Sequence, residues 1–282
     1  MSGDYLNRAQ APFGEALWRT IDDAVVDAAR DLLTGRRFLE LDGAYGVGLT
    51  AIEAGSDEDT REDAEGVAIV MGRVQAVPML RKTFKLSVRR IAGHVENGQP
   101  LDLAAAEDAA EAVADREEAL IYRGEDSLPG LLTVSGRHHV QGGDWSEIEQ
   151  ALRDVMAGVT RLDSDGFRGP YALALSPPLY NGLFRLYPGT DLPQIEHLRR
   201  LCTRGIFKTD IEGGVLVDPR VGVLIVGQDL RTGYIAQDGI HYQLYVSESI
   251  ALRIDDPKAV CTLDAKHALM SEQRPSRAPA KK

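Results

Sequence analysis

The chain has 282 residues, 44% of them hydrophobic and 27% charged, and its 32 Lys and Arg against 43 Asp and Glu leave a formal charge of −11. A chain of this size buries a real core in one large or two modest domains. No apolar run approaches the ~18 residues of a membrane span, the polar start Met1 to Gln10 has no apolar leader segment, and an acidic chain without a basic stripe is a poor match for nucleic acid. No membrane and no nucleic-acid partner are therefore expected, and two cysteines, Cys202 and Cys261, with no CxxC pair point to a reducing cytoplasm.

Residues 5–13 read as an extended arm containing Pro12. Leu17, Ile21, Val25, Ala28 and Leu32 recur every three or four residues, which predicts a helix over residues 15–33 with Gly35 as its C-terminal stop. Residues 42–75 change character. Gly43, Gly46, Gly48, Gly55 and Gly66 punctuate them, and Glu53, Asp57, Glu58, Asp59, Glu62, Asp63 and Glu65 face only Arg61. One reading is a solvated loop. A loop this long is uncommon inside a compact domain, and the other reading is a hairpin arm packed on another chain, its acidity meeting basic residues such as Arg73, Arg81, Arg89 or Arg90 of a neighbour.

A strand is expected at residues 83–88, and a second helix at 103–122 with Ala106, Ala110, Val113, Glu117 and Leu120 on one side. A carboxylate on such a face needs a partner, and a structural ion pair is the commoner arrangement than catalysis. Asp144 and Glu147 are spaced as a capping box for a helix over 144–162, with Ile148, Leu152, Val155, Val159 and Leu162 as its stripe. A strand at 171–175, short helices at 177–187 and 193–202, and strands at 206–211, 214–217 and 221–226 follow. Tyr242, Leu244, Val246, Ile250, Leu252 and Ile254 alternate onto one face of a strand over 241–254, and 258–263 is a last strand. Residues 271–282, with Arg274, Arg277, Lys281 and Lys282 against Glu272, read as a basic disordered tail. Grouped helices and strands make an α+β pattern.

The chain has no phosphate-binding P-loop and no G-x-S-x-G elbow, and Gly43-Ala-Tyr-Gly-Val-Gly48 has the wrong spacing for a dinucleotide loop. His138 and His139 are adjacent, so on a strand they point to opposite faces and do not share a metal. No H-E-x-x-H and no E-x-x-H occurs. No catalytic residue, no metal ligand and no cofactor is assigned.

Short segments spaced along the chain carry a resemblance. They are Leu6-Asn-Arg8 with Ala11-Pro12, Trp18 with Ile21-Asp22, Gly35-Arg-Arg-Phe38, Gly43-Ala-Tyr-Gly46, Ile121-Tyr-Arg-Gly124, Gly130-Leu-Leu-Thr133, Gly169-Pro-Tyr-Ala-Leu173, Gly227-Gln-Asp-Leu-Arg-Thr-Gly-Tyr234 and Ser247-Glu-Ser249. In this order they resemble the family-one encapsulins, linocin- or bacteriocin-type shell proteins of bacterial and archaeal nanocompartments. The resemblance implies the α+β fold of tailed-phage major capsid proteins. Residues 1–41 would be an N-terminal arm and helix, 42–76 an extended E-loop, 77–136 with 224–270 a peripheral domain, and 137–223 an axial domain. The tail, 271–282, would lie beyond.

The same resemblance implies a shell protein and not an enzyme. It would self-assemble into a closed icosahedral compartment of about 60 copies or a multiple. It would enclose a cargo enzyme, a ferritin-like protein or a dye-decolorizing peroxidase, through that enzyme's C-terminal targeting peptide, for iron storage or oxidative-stress defence. Arg36, Glu40, Asp229 and Leu230, with Trp18 and Leu32, match the cargo-peptide pocket. Two plainer readings stand beside this: Trp18 as core packing, and Arg36 as an ion pair with Glu40 or Asp229. Alanine at Arg36 or Asp229 is expected to reduce cargo loading without stopping assembly. Tyr187, Pro188, Gly189, Thr190 and Asp191 match a pore-lining loop, where a ring of Asp191 carboxylates would favour cations, unless Asp191 merely caps a helix. Arg89 stands where some relatives have a flavin-stacking tryptophan, so no flavin is expected. A prophage capsid subunit is the alternative within the fold, and a protease the alternative outside it.

Overall fold

The structure is a computed structural model that describes residues 5–62, 64–187, 189 and 191–266, with residues 55–61 described as backbone only. The expected basic tail lies outside the described residues. In chain order the main elements are α1 (Glu15–Arg30), β1 (Glu40–Gly43), β2 (Ala51–Glu62), β3 (Ala68–Ala76), β4 (Met79–Ser87), α2 (Val88–Asn97), α3 (Ala104–Tyr122), β5 (Gly124–Glu125), β6 (Leu128–Pro129), β7 (His138–Val140), α4 (Gln150–Ser164), β8 (Ala172–Leu175), α5 (Pro177–Gly182), α6 (Gln194–Arg199), β9 (Gly205–Lys208), β10 (Gly214–Val217), β11 (Gly222–Val226), β12 (Arg231–Asp238), β13 (His241–Ile254) and β14 (Val260–Leu263). They form two compact units, one of Met1–Thr133 with Gly222–Asp255 and one of Val134–Val221 with Asp256–Lys282.

In the first unit β13 organises the sheet. Its first nine residues pair antiparallel with β4, from His241 opposite Ser87 to Ser249 opposite Met79. On its other edge His241 to Ser247 pair with β12. Its last five residues pair with β11, and β1 lies parallel to β11. Alternation sends Tyr242, Leu244 and Val246 into one core with Phe84 and Leu86 of β4, Leu17, Trp18, Ile21 and Val25 of α1, and Ala106, Ala110 and Val113 of α3. Each large side chain buried there stabilises the fold by roughly 1.5–3 kcal/mol. The next position in phase after Val246 is Glu248, wholly buried, and every residue from Val246 to Leu252 is buried. The expected single apolar face of β13 is therefore interrupted by a carboxyl group.

Three expectations for this unit change. Helix α1 stops at Arg30, and Gly35 opens a 3₁₀ turn, Gly35–Arg37, instead of stopping the helix. The strand expected at 83–88 runs from Met79 to Ser87, and α2, absent from the sequence reading, follows it. Only Ile91 of α2 is buried, so its apolar stripe is too thin to stand out. Strands β2 and β3, residues 51–62 and 68–76, form a two-stranded hairpin with a register slip between Glu53 and Glu58. Ile69, Val70, Met71 and Val74 on β3 are all exposed.

In the second unit the strand order is β7-β14-β10-β8-β9. Strand β14 pairs antiparallel with β10 and parallel with β7. This moves the described residues 256–266 out of the expected 224–270 segment and into the unit of residues 134–221. The alternation of a short strand does not name its sheet; the pairing partner does. Helix α4 starts at Gln150, not at Asp144. The Gly143 N–H and the Trp145 indole both donate to Asp154 Oδ2, at 2.9 and 2.8 Å, and fasten the preceding segment back onto the helix as a loop. The carboxylate of Asp144 accepts from the Ser146 N–H within that loop, so the capping-box spacing marks a turn.

Candidate functional site

The 3₁₀ turn after α1 is held close to α3. A Cβ on Gly35 would lie 2.7 Å from Ile121 Cδ1, so glycine is what permits this approach. The Gly35 N–H donates to Glu118 Oε1 at 2.9 Å, and the Thr34 hydroxyl donates to Glu118 Oε2. These bonds present Arg36 to three carboxylates. Its Nε and Nη2 donate to the two oxygens of Glu117, each at 2.7 Å. Nη2 also donates to Glu248 Oε2 at 2.9 Å, and Nη1 to Asp229 Oδ1 at 2.8 Å. Glu117 and Glu248 have no exposure, Arg36 has 16%, and Asp229 has 59%.

One guanidinium against three carboxylates sets the local charge balance. Burial, then the charge of Glu117, push Glu248 well above the ordinary carboxyl range. Burial likewise raises Glu118, against the bonds from Thr34 and Gly35. Burial would also raise Asp229, but the hydrogen bond and charge of Arg36 outweigh it and hold Asp229 low. Burial would lower Arg36, and its bonds to Glu117, Glu248 and Asp229 raise it instead. Among the described residues the buried Oε1 of Glu248 meets no donor. A proton on Glu248 removes the clash of two buried anions and lets its carboxyl group donate to Glu117.

Arg36 and Asp229 also reach the surface. With Val26, Ala29, Arg30, Leu33, Arg37 and Leu230 they line an open cleft of about 250 Å³. Its floor is aliphatic and its rim charged. Arg30 pairs with Asp27 at 2.8 Å, and Arg37 donates to the carbonyl of Arg30 at 3.1 Å. Of the six sequence-derived residues, Arg36, Asp229 and Leu230 meet here. Trp18 does not: it is in the core, with Phe13 at 5.3 Å and the Arg8 guanidinium at 4.6 Å over its ring. Leu32 packs on the same core, and Glu40 is exposed on β1 opposite Val223. The partners of Arg36 are Glu117, Glu248 and Asp229, and Glu40 is not among them. Val26, Ala29, Arg30, Leu33 and Arg37 escaped the sequence reading. An exposed valine one turn before Arg30, off the apolar stripe, was the available signal.

In the second unit, Leu186 bridges Pro193, the Tyr187 N–H donates to Leu192 O at 2.9 Å, and the Gln194 N–H donates to Arg185 O at 3.0 Å. This closes the loop between α5 and α6. The Tyr187 ring lies tilted against His197 with centroids 4.9 Å apart, and Asp191, Phe184, Leu186 and Leu192 are exposed. Pro188 and Thr190 lie outside the described residues. His138 bonds Asp165 at 2.8 Å and His139 approaches Thr262 at 3.2 Å, two separate environments. Burial pushes the Cys202 and Cys261 thiols up to about 12 and about 11, which suits packing and not nucleophilic attack.

A family model described as "Encapsulating protein for peroxidase" (Linocin_M18) matches residues 3–251. The chain belongs to the encapsulin family. The type 1 encapsulin shell protein of Myxococcus xanthus is 31% identical over 277 residues, 93% of this chain and 96% of the relative. A diheme-cytochrome–encapsulin shell fusion protein of Kuenenia stuttgartiensis is 30% identical over 88% of this chain and 72% of its own length. In three dimensions the chain is similar to a virus-like particle protein of Pyrococcus furiosus, with TM-score 0.71 and 23% identity over 88% of this chain and 99% of the other. It is also similar to the capsid of the myovirus XM1, with TM-score 0.58 and 15% identity over 82% and 91%. The encapsulin fold here is thus that of tailed-phage capsid proteins. As an encapsulin shell protein the chain is a structural protein and not an enzyme. Among the described residues no helix is long and apolar enough to cross a membrane.

Proposed function

We propose that copies of this chain close into an icosahedral shell of about 60 subunits or a multiple, and that the cleft beside α1 docks a peptide at the C-terminus of a cargo protein. The cleft carries the reading. Its aliphatic floor of Val26, Ala29, Leu33 and Leu230 suits apolar peptide side chains, and Asp229 offers an exposed anion at the rim. Apolar burial supplies affinity and the charge fixes register. Encapsulin relatives fused to a ferritin-like protein or a diheme cytochrome, and the peroxidase in the family's description, favour a redox or iron-handling cargo. Iron storage or oxidative-stress defence is the corresponding role.

The β2–β3 hairpin serves as the intersubunit E-loop, supported by its exposed Ile69, Val70, Met71 and Val74. A two-stranded hairpin has marginal stability alone, and exposed apolar side chains on it call for a covering surface. The first unit takes the peripheral role and the second the axial role. The loop carrying Tyr187, Pro188, Gly189, Thr190 and Asp191 lines an opening at a symmetry axis. A DNA-filled capsid would favour a basic chain, and the formal charge of −11 does not support it.

Negative-stain electron microscopy with light scattering tests the shell. Uniform hollow particles support it, and a monomer or dimer at all salt concentrations and pH values sinks it. Co-expression with a cargo candidate bearing a C-terminal apolar-basic peptide tests the cleft, whose Asp229→Ala variant should assemble and stay empty.

A further inference from the structure

The cleft and the buried carboxylates share one side chain. Arg36 faces Glu117 and Glu248 with Nε and Nη2, and faces Asp229 at the cleft rim with Nη1. Among the described residues, the charged groups that act on Glu248 are Arg36 from the 3₁₀ turn, Glu117 from α3 and Asp229 from the segment before β12. Its cross-strand neighbour on β4 is Leu80, and the adjacent Ser247 and Ser249 bond to neutral Gln228. Glu118, next to Glu117, is occupied by Thr34 and the Gly35 N–H. Glu117 uses both oxygens on Arg36, whereas Glu248 Oε1 is buried and meets no donor among the described residues.

We infer that Glu117 and Glu248 are positioning residues of the peptide cleft behind Arg36, with a proton held on Glu248, so that the cleft grips a cationic peptide side chain more tightly once that proton leaves. The inference rests on the peptide-docking reading of the cleft. While Glu248 is protonated, Arg36 faces two anions and divides its donors between Glu117 and Asp229. When Glu248 ionises, two buried anions draw the guanidinium inward. Asp229 loses part of its partner and turns toward the peptide. The set then holds one cation against three anions, and a Lys or Arg of the peptide supplies the missing charge. Arg30 is paired with Asp27, and Arg37 with the backbone of Arg30 and with Asp31, so neither takes Asp229; the charge of Arg231 reaches Asp229 whether Glu248 is protonated or not.

The test uses assembled full-length shells and two fluorescein-labelled decapeptides of Leu, Ile, Gly and Ser, one with a single Lys and one with norleucine in its place. Fluorescence anisotropy is read from about pH 5 to about pH 9, the range over which a buried glutamate can titrate, with particle integrity checked by microscopy at each point. Wild-type shells should bind the Lys peptide on the order of tenfold more tightly at the alkaline end, and the norleucine peptide equally at both ends. Glu248→Gln, which keeps the neutral shape, should bind the Lys peptide at its acidic-end affinity throughout. Glu117→Gln should also flatten the profile, because Glu248 then ionises as the sole buried partner of Arg36. Infrared spectra of the same shells supply a readout independent of any peptide: a protonated carboxyl signal that fades as pH rises across this range in wild type, and whose Glu248 component is lost in Glu248→Gln while any Glu118 component stays. No binding of either peptide by wild type at any pH would overturn the docking reading itself. Binding that requires Asp229 but shows a flat wild-type profile, or the same profile in Glu248→Gln, would leave that reading standing and overturn the proton on Glu248.

Discussion

At the residue scale Arg36 is a structural hub before it is a binding residue. Removing it strands Glu117 and Glu248, both without exposure, and breaking a buried ion pair costs about 3–5 kcal/mol. Arg36→Ala should therefore lower the urea midpoint of the chain markedly and lose cargo through misfolding. The sequence-based expectation that it assembles normally is revised on this ground. Asp229 is 59% exposed, and a pair of that kind is worth about 0–1 kcal/mol. Asp229→Ala should keep the wild-type midpoint and lose only cargo, which makes it the clean variant. The two carboxyl groups also respond oppositely to pH. Glu248 is raised, so its contribution is fully present below the ordinary glutamate range and is lost as pH rises through its folded value. Asp229 is lowered, so its contribution is present above the ordinary aspartate range and is lost only as pH falls through its folded value. Glu248→Gln should accordingly be more stable than wild type in alkaline urea titrations, with the gap closing toward acid.

At the element scale the site depends on how closely the turn after α1 approaches α3. Gly35→Ala places a methyl group 2.7 Å from Ile121 Cδ1 and 3.2 Å from Cγ2, and Ile121 is wholly buried. Overpacking of this kind costs about 1–3 kcal/mol. Thermal unfolding should show that loss, and cargo loading should fall with it because Arg36 moves off its carboxylates. The β2–β3 hairpin behaves differently. Val74 on β3 is 71% exposed and contributes little to the isolated fold. Val74→Asp should leave circular dichroism and the melting transition of the subunit unchanged and abolish particles in the microscope. A large loss of subunit stability instead would show that the hairpin packs on its own chain.

At the scale of the whole molecule, identical weak interfaces repeated by symmetry build a wall without any one strong contact. On the proposed assignment of the α5–α6 loop to a pore, small rings of side chains decide what passes that wall. Asp191 is exposed on the loop closed by Leu186 and Pro193, and many copies of one carboxylate around an axis attract cations. Asp191→Lys should assemble normally and slow the entry of a luminescent lanthanide ion into shells carrying an internal chelator. Equal entry rates in the two shells would remove Asp191 from the pore.

Periodicity alone marked α1, α3 and the first half of β13, because a repeat of three to four or of two reports which side of an element is buried. It placed Glu117 on an apolar face and so required a partner for it. The acidic, glycine-spaced hairpin stood out for the same reason in reverse, since nothing in its pattern described a core. Periodicity did not name the partners. Arg36 joins Glu117, Glu248 and Asp229 across 81, 212 and 193 positions of chain, and no local pattern encodes a choice among carboxylates that distant. Glu40, near Arg36 in sequence, lies exposed on β1, and Trp18 is core. Strand β14 joined the sheet of the second unit because of the edges open to it there, between β10 and β7. Helix α4 began late because Asp154 captured Gly143 and Trp145. The local pattern settles burial, which each residue carries in its own side chain; pairing and desolvation depend on distances that exist only once the chain has folded.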